Sequence, residues 1–464
     1  MTDYEIVVGL EVHCELKTAT KLFCGCANEF GAEPNTHICP VCLGLPGSLP
    51  VINRKAVELA MRIGAALECE IKPSIFHRKN YFYPDMPKDY QVSQYDEPIN
   101  VGGHLELPDG SRVGIERAHM EEDTGKTTHV GQTGRIHGAD YSLVDYNRSG
   151  VPLVEIVSAP DMRSAEQARA YVSELRAILV AAGASDGKME EGSLRVDANV
   201  SVRPRGETAF GTRCEIKNLN SLRSLGRAIE YEAARQGALV DKGESVMQET
   251  RHWDEAKGKT QSGRSKEEAY DYRYFPEPDL VPLAPDADWQ RDVAASLPPL
   301  PAARRAALAT LAGVAPVDAA IVVEQDLDGM VHAAIDAGGD ARIALKRAAN
   351  EVAGRRIAEP AFVALVTMET NGKLSTSQAR TVLAEILDAG GDGDPAAIAA
   401  AKGFEAMDED ALATIVDGVI ASSPDEVEKY RSGEQKVLGA LIAKVRDAGG
   451  DPKAAAAVLR AKLS

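Results

Sequence analysis

No apolar run in the 464 residues is long enough to cross a bilayer, which takes about 20 consecutive residues. The opening segment, MTDYEIVVGLEVH, enters a strand-like alternation at once. It lacks the basic region, apolar stretch and cleavage site of a secretion signal. A cytoplasmic protein with no membrane partner is expected. Positive charge is also short: 52 Lys and Arg stand against 70 Asp and Glu, a net charge of −18. That excludes an indiscriminate nucleic-acid binder, which needs clustered cations, but not one that holds nucleic acid through a local patch. No glycine-rich phosphate loop or dinucleotide fingerprint is present, and no periodic repeat. A chain of this length is too long for one compact core, so two or three domains are expected.

Cysteine is sparse, yet four of the seven gather as CGC (Cys24, Cys26) and CPVC (Cys39, Cys42). Paired thiols at knuckle spacing suit tetrahedral zinc, although C-x-C is tighter than the usual C-x-x-C. Four thiolates leave no open position, so such an ion is structural. Cys14, Cys69 and Cys214 are scattered and read as buried thiols in a reducing compartment.

LRVDANVSVR, residues 194–203, alternates Leu194, Val196, Ala198, Val200 and Val202 with Arg195, Asp197, Asn199, Ser201 and Arg203. Period two predicts a strand with one buried face. Its polar face carries a guanidinium, a carboxylate and an amide, where a solvated strand usually shows Thr, Lys, Glu or Ser. The first strand sets Ile6, Val8, Leu10, Val12, Cys14 and Leu16 against Glu11, His13 and Glu15. TRCEIK sets Glu215 and Lys217 on one side, and the acidic clusters HMEED (Glu121, Glu122, Asp123) and KMEEG (Glu190, Glu191) lie near strand-like runs. One such face alone is most simply solvent-facing. Several together favour a cation site, because clustered carboxylates repel until something neutralises them. Mg²⁺ takes oxygen ligands and keeps waters for substrate phosphates.

HRKNYFYPDMPKDYQVSQYD, residues 77–96, packs Arg78, Lys79, Lys88 and five aromatics, Tyr81 and Tyr83 among them, into twenty residues. Pro84 and Pro87 rule out a long helix there. Cations between aromatics suit phosphates and a stacked base; an aromatic loop packed over a sheet is the structural alternative.

Residues 1–293 read as mixed α/β. SAEQARAYVSELRAILVAAG predicts a helix with Ser164 and Gln167 as a capping box and Gly183 as its stop. The proline-rich SLPPLPAARR at 296–305 opens an alanine-rich helical stretch, and DAGGDGDPAA at 388–397 breaks it again. In the tail, Leu412, Ile415, Val416, Val419 and Ile420 form a helical stripe. Ser423, Pro424 and Glu426 predict a boxed helix start. The expectation is an α+β multidomain chain: a mixed-sheet domain over 1–293, an all-α connector over 294–400 and a small all-α tail over 401–464. Residues 424–464 carry eight cations against six acids, a mildly basic balance that a solvated helical face would also give.

These motifs resemble the B-subunit family of the bacterial aspartyl/glutamyl-tRNA amidotransferases. The resemblance rests on GLEVHCELKTATKLFCGC, FGAEPNTHICPVCLGLPGSLPVIN, RKNYFYPDMPK, HMEEDTGK, SLVDYNRSGVPLVEIVS, MEEGSLRVDANVSVRP, EIKNLNS and DYRYFPEPDL, and more weakly on the tail. It implies a cradle-shaped catalytic domain, a helical connector and a tail that touches tRNA. It also implies a C–N ligase reaction on mischarged Asp-tRNA(Asn) or Glu-tRNA(Gln). ATP phosphorylates the side-chain carboxylate, and ammonia from a glutaminase A subunit then displaces phosphate. A small C subunit completes a heterotrimer, and the cognate aminoacyl-tRNA synthetase is a further implied partner.

Carried over by motif, the Mg²⁺ ligands fall on Glu11, His13, Glu121 and Glu122, and the zinc knuckle on Cys24, Cys26, Cys39 and Cys42. Lys79, Arg195, Asp197 and Asn199 are the implied catalytic residues. Lys79, Tyr81, Tyr83, Asn147, Arg148, Glu190 and Lys217 are the implied ATP or substrate contacts. Departures are small: Thr124 stands for a usual Ala, His77 for a common Asp, and GALIAKV for GQVMK in the tail. No large inserted domain is present, as in an archaeal relative confined to Glu-tRNA(Gln). Two other classes stay open on the residues alone: a metal-dependent nuclease, and a non-catalytic RNA-binding scaffold. The first predicts RNA cleavage without ATP, the second indifference to loss of Glu11 or Glu122.

Overall fold

A computed structural model describes residues 3–131, 138–263, 272–404, 409–432, 434–448 and 452–463. The chain divides between Arg304 and Arg305 into two units.

The first unit is built on strands β1 (Tyr4–Glu15), β2 (Glu70–Ile71), β3 (Ile75–Asn80), β4 (Tyr90–Glu97), β5 (Asn100–Val101), β6 (His104–Glu106), β7 (Arg112–Glu122), β8 (Lys126–Gly131), β9 (Ala139–Asp145), β10 (Pro152–Ser158), β11 (Leu194–Pro204), β12 (Cys214–Leu219), β13 (Thr250–Asp254), β14 (Lys259–Ser262) and β15 (Phe275–Pro276). Ten of them run in the order β14-β13-β12-β11-β1-β10-β7-β4-β3-β15, with β2, β5 and β6 attached beside β7. The pair β12–β13 is parallel and the other pairs described are antiparallel, so the sheet is mixed. Strands β8 and β9 form a separate hairpin.

The alternation legible in β1 and β11 sorts their side chains. Val8, Leu10, Val12, Cys14, Leu194, Val196, Ala198 and Val200 are buried, in one hydrophobic core with helices α1 (Arg54–Ala66), α2 (Ala165–Ala181) and α3 (Leu222–Asp241). Met61, Tyr171, Leu175, Leu225 and Ile229 come from those helices. With helices under one face, the other face is left to the polar residues. Ser164 caps α2 by accepting from the Gln167 amide, but the Gln167 side chain accepts from Arg163 N at 2.8 Å rather than closing on Ser164. Gly183, at φ +67°, ends the helix as expected. Helix α4 (Ala287–Ala295) closes this unit, with Val293 in the core.

The second unit is helical. Helix α5 (Pro301–Ala312) leads into it, followed by α6 (Ala320–Glu324), α7 (Asp328–Asp336), α8 (Ala341–Arg347), α9 (Glu359–Thr370), α10 (Thr376–Asp388) and α11 (Pro395–Ala401). Leu308, Val331, Leu345, Phe362, Val382 and Ile386 form their core. The break at 388–397 is a turn inside this core, since Ala399 of α11 packs into it. A second core lies in α12 (Glu409–Ser422), α13 (Pro424–Arg431), α14 (Leu438–Asp447) and α15 (Pro452–Leu463), around Val416, Leu441, Val445 and Leu459. The boxed start expected at Ser423 does not form. Ser423 makes no cap hydrogen bond, because Lys444 draws in both partners: its ammonium donates to Ser423 Oγ at 3.0 Å and pairs with Glu426.

One charged node lies in the first helical core, with Arg347 and Glu369 buried and Glu351 partly so. Arg347 binds Glu369 through two nitrogens at 2.9 Å each, pairs with Glu351 at 2.6 Å and donates to Thr376 O at 2.7 Å.

No single helix among the described residues is long and apolar enough to cross a membrane.

Candidate active site

Antiparallel register aligns residues of distant sequence into rows across the sheet. One row runs Arg195–His13–Glu155–His119 over β11, β1, β10 and β7. The next places Asp197 opposite Glu11. A third aligns Leu153 with Glu121, and Glu121 with Ser93 of β4. On β12, Glu215 lies opposite Asn199. Alternation puts these side chains on the face that the helices leave open.

Two acidic clusters result. In the first, His13 Nε2 is 3.5 Å from Glu121 Oε1 and 3.8 Å from Glu155 Oε2. His119, fully buried, places Nε2 3.3 Å from the same Glu155 oxygen, out of hydrogen-bond alignment. The second joins Glu11, Asp197 and Glu215. Asn199 donates to Glu11 at 2.9 Å, Lys217 lies 3.0 Å from Asp197 and 3.2 Å from Glu215, and Thr250 donates to Glu215 at 2.7 Å. Within each cluster of three, the ligand atoms lie within 4.8 Å of one another.

Burial of so many acids shows in their proton affinity. Burial and then the charge of Glu155 push the Glu121 carboxyl up to about 8. Glu155 stays ionised well below the usual range: burial opposes this, but the imidazoles of His119 and His13 outweigh it. Burial and then the Glu155 charge also raise Glu11, and burial lowers His13. Glu15 rises to about 7, through burial first and Asp123 second. An arrangement in which one carboxyl must stay protonated is short of positive charge. An imidazole and two carboxylates in one cluster, and three carboxylates in the other, are donor sets that fit a hard divalent cation.

Cations and aromatics flank the first cluster. The Lys79 ammonium sits 4.5 Å over the Tyr272 ring, and its charge reaches Glu121. Tyr95 stacks on Tyr274 at 5.3 Å and carries Arg117 at 4.8 Å. Arg195 is fixed by Asp123 at 2.7 Å, and Arg148 approaches the same carboxylate at 3.4 Å.

The structure thus brings together Glu11, His13, Glu121, Lys79, Arg195, Asp197, Asn199 and Lys217. Glu122 does not join them. Adjacent residues of a strand point to opposite faces, so Glu121 and Glu122 cannot address one ion. Glu122, 1 % exposed, pairs with Lys88 and accepts from Val92 N at 2.9 Å. It lines a pocket with Phe23, Cys42, Lys88 and Glu277. Asn147 commits its amide to the cysteine loop, accepting from His37 N at 2.8 Å and donating to Glu33 O at 2.7 Å. Arg148 donates to Thr124 O and Gly125 O at 3.0 and 2.9 Å. Glu190 is exposed on the turn before β11, outside both clusters. Tyr81 and Tyr83 stack on each other at 4.6 Å.

Sequence reasoning missed Glu155 and left Glu215 without a role. A single acid inside the apolar run VPLVEIVS was the one available signal for Glu155. Its proximity to His13 needed the register between β1 and β10.

Cys24, Cys26, Cys39 and Cys42 also converge, with sulfurs within 4.8 Å of one another. Cys39 N donates to Cys42 Sγ at 3.1 Å. The hydrogen bond from Cys24 draws the Cys42 thiol down to about 5, while burial pushes Cys26 up to about 11. Four sulfurs this close suit a tetrahedral soft-ligand ion.

A family model described as the GatB/GatE catalytic domain matches residues 6–291, and one described as the GatB domain matches residues 339–463. Three curated proteins, each named as the B subunit of an aspartyl/glutamyl-tRNA(Asn/Gln) amidotransferase, are similar over nearly the whole chain. The one from Frankia casuarinae is 52 % identical, covering 99 % of this chain and 95 % of its own length. One from a Mycobacterium species (strain KMS) is 51 % identical over 96 % and 93 %. That of Carboxydothermus hydrogenoformans is 46 % identical over the full length of both.

Proposed function

This chain belongs to the family of aspartyl/glutamyl-tRNA(Asn/Gln) amidotransferase B subunits, and we propose that the polar sheet face is the floor of its transamidation cradle. The reaction is the ATP-dependent conversion of mischarged Asp-tRNA(Asn) or Glu-tRNA(Gln) to the amide form. The single observation that carries this assignment is the meeting of two acid-rich clusters with Lys79 and Arg195 on one sheet face. The nuclease and scaffold readings lose their support with the family membership.

His13, Glu121 and Glu155 would hold one Mg²⁺, and Glu11, Asp197 and Glu215 a second. Such cations would supply screening between the triphosphate and the attacking carboxylate. The chain's own groups do the rest. Lys79 and the Arg195 guanidinium, held in place by Asp123, meet the charge that spreads over the transferring phosphoryl group. Asn199 and Lys217 orient the carboxylates of the second cluster. Tyr95, Tyr272 and Tyr274 form an aromatic wall beside Lys79. Ammonia made by an A subunit then displaces phosphate, a C subunit joins the pair, and the helical tail contacts tRNA. The cysteine cluster takes structural Zn²⁺.

Purified chain with its A and C partners, mischarged tRNA, glutamine and ATP tests the assignment. ADP release and amide formation should both require the mischarged tRNA, and Glu121→Gln should reduce both about a hundredfold or more. Full ADP release by Glu121→Gln would remove Glu121 from the site.

A further inference from the structure

Lys21 is a buried ammonium with no carboxylate partner among the described residues. Its side chain is fully buried, among the largest in the chain to be so. The ammonium donates to two backbone carbonyls, His37 O at 2.8 Å and Tyr146 O at 3.2 Å. Among the described residues no carboxylate lies within 4 Å of it. Glu122, whose Oε2 a Cβ at Gly150 would meet at 3.8 Å beside the Lys21 stem, is already paired with Lys88 through its other oxygen. A buried ammonium with only neutral acceptors is costly, and such groups persist where a countercharge offsets the loss of water.

The surroundings name that countercharge. The Lys21 amide donates to Cys26 O at 3.0 Å, and one of its ammonium acceptors, His37 O, lies two residues before Cys39. Gly150 marks the packing between them: a Cβ there would meet Cys42 Cβ at 3.6 Å and Lys21 Cδ at 3.7 Å. The lysine stem and Cys42 thus pack against the same glycine, the lysine charge reaches Cys42, and its head is tied to the cluster's loop at His37 O.

We propose that Lys21 is the counter-ion of a zinc tetrathiolate, a positioning residue that stabilises the anionic cluster from behind. This rests on the zinc reading of the four cysteines. When the ion enters, the thiols that still hold protons release them to solvent and one Zn²⁺ binds. The site passes from its metal-free state to four thiolates around Zn²⁺, a net charge of −2. A fixed cation beside Cys42 favours the second state and opposes the loss of the ion. Outer partners of metal ligands typically change affinity ten- to a hundredfold.

The full chain, loaded with zinc, is challenged with excess chelator, and zinc release is followed by a chromophoric indicator. Lys21→Met should release zinc about tenfold faster or more than the unsubstituted chain. Loaded with Co²⁺ instead, the variant should show its sulfur-to-cobalt absorption at longer wavelength, because the sulfur electrons lose a stabilising charge. A purely structural role would not move that band. Equal release rates and an unchanged band in a folded variant overturn the proposal and leave the zinc reading intact. Failure of the unsubstituted chain to hold zinc overturns the zinc reading itself. If Lys21→Met does not fold, the change is made where all four cysteines are alanine. There the charge has nothing to serve, so the substitution should be tolerated, and renewed misfolding overturns the counter-ion role.

Discussion

Two buried charge clusters in this protein are opposites. In the helical unit, Arg347 meets Glu369 and Glu351 and donates its remaining hydrogen to a carbonyl. Every donor there has an acceptor in the fold. On the sheet face, His13, Glu121 and Glu155 share one neighbourhood in which burial forces a carboxyl to keep its proton at neutral pH. The first arrangement is complete and serves packing. The second is unfinished, and an incoming cation or phosphate-bound substrate would complete it.

The sharpest way to break this contrast is to neutralise one member of each. Glu121→Gln should cost about a hundredfold or more in ADP and amide formation, with no loss of thermal stability, because a neutral amide suits the unfinished cluster. Arg347→Met should do the reverse. It leaves Glu369 buried without its partner, so urea unfolding should lose about 3–5 kcal/mol while Mg²⁺ dependence stays unchanged. Equal stability losses in the two variants would erase the distinction.

The pH dependence sharpens it further. Glu121 has a folded-state affinity near 8, above its unfolded value, and Glu15 behaves likewise near 7. Stability from such groups is full below about pH 4.5 and is lost as pH rises through the folded values. The metal-free chain should therefore melt at progressively lower temperature from pH 5 to 8, and added Mg²⁺ should raise the melting point more at pH 8 than at pH 6. A Mg²⁺ shift independent of pH would separate Glu121 from the metal. The smallest effect is expected at Asn147. Asn147→Ala should cost about 0.5–1.5 kcal/mol by freeing His37 N and Glu33 O, which water can reach, and leave the KM for ATP as it was.

Much of the site was legible because strand periodicity is local. Arg195, Asp197, Asn199, Glu11 and His13 declare a shared polar face by alternation alone. The same rule, applied to HMEED, separates Glu121 from Glu122; motif transfer, which ignores faces, kept them together. Glu155 and the staple role of Asn147 depend on contacts between segments far apart in sequence, and no window of neighbouring residues contains them. The tail's cap failed for a related reason: Ser423 and Glu426 fit a local motif, but Lys444, a helix away, competes for both.

The central position of β1 also sets an order of events during synthesis. Its residues leave the ribosome long before its two partners, which begin at Pro152 and Leu194. At bacterial-scale elongation of about 5–20 residues per second, at least one edge of β1 stays unpaired for roughly 10–40 s. An apolar strand with open edges is an aggregation hazard over such an interval, so the nascent chain has reason to be held by a chaperone until β11 emerges. The row Arg195–His13–Glu155–His119 exists only after that pairing is complete.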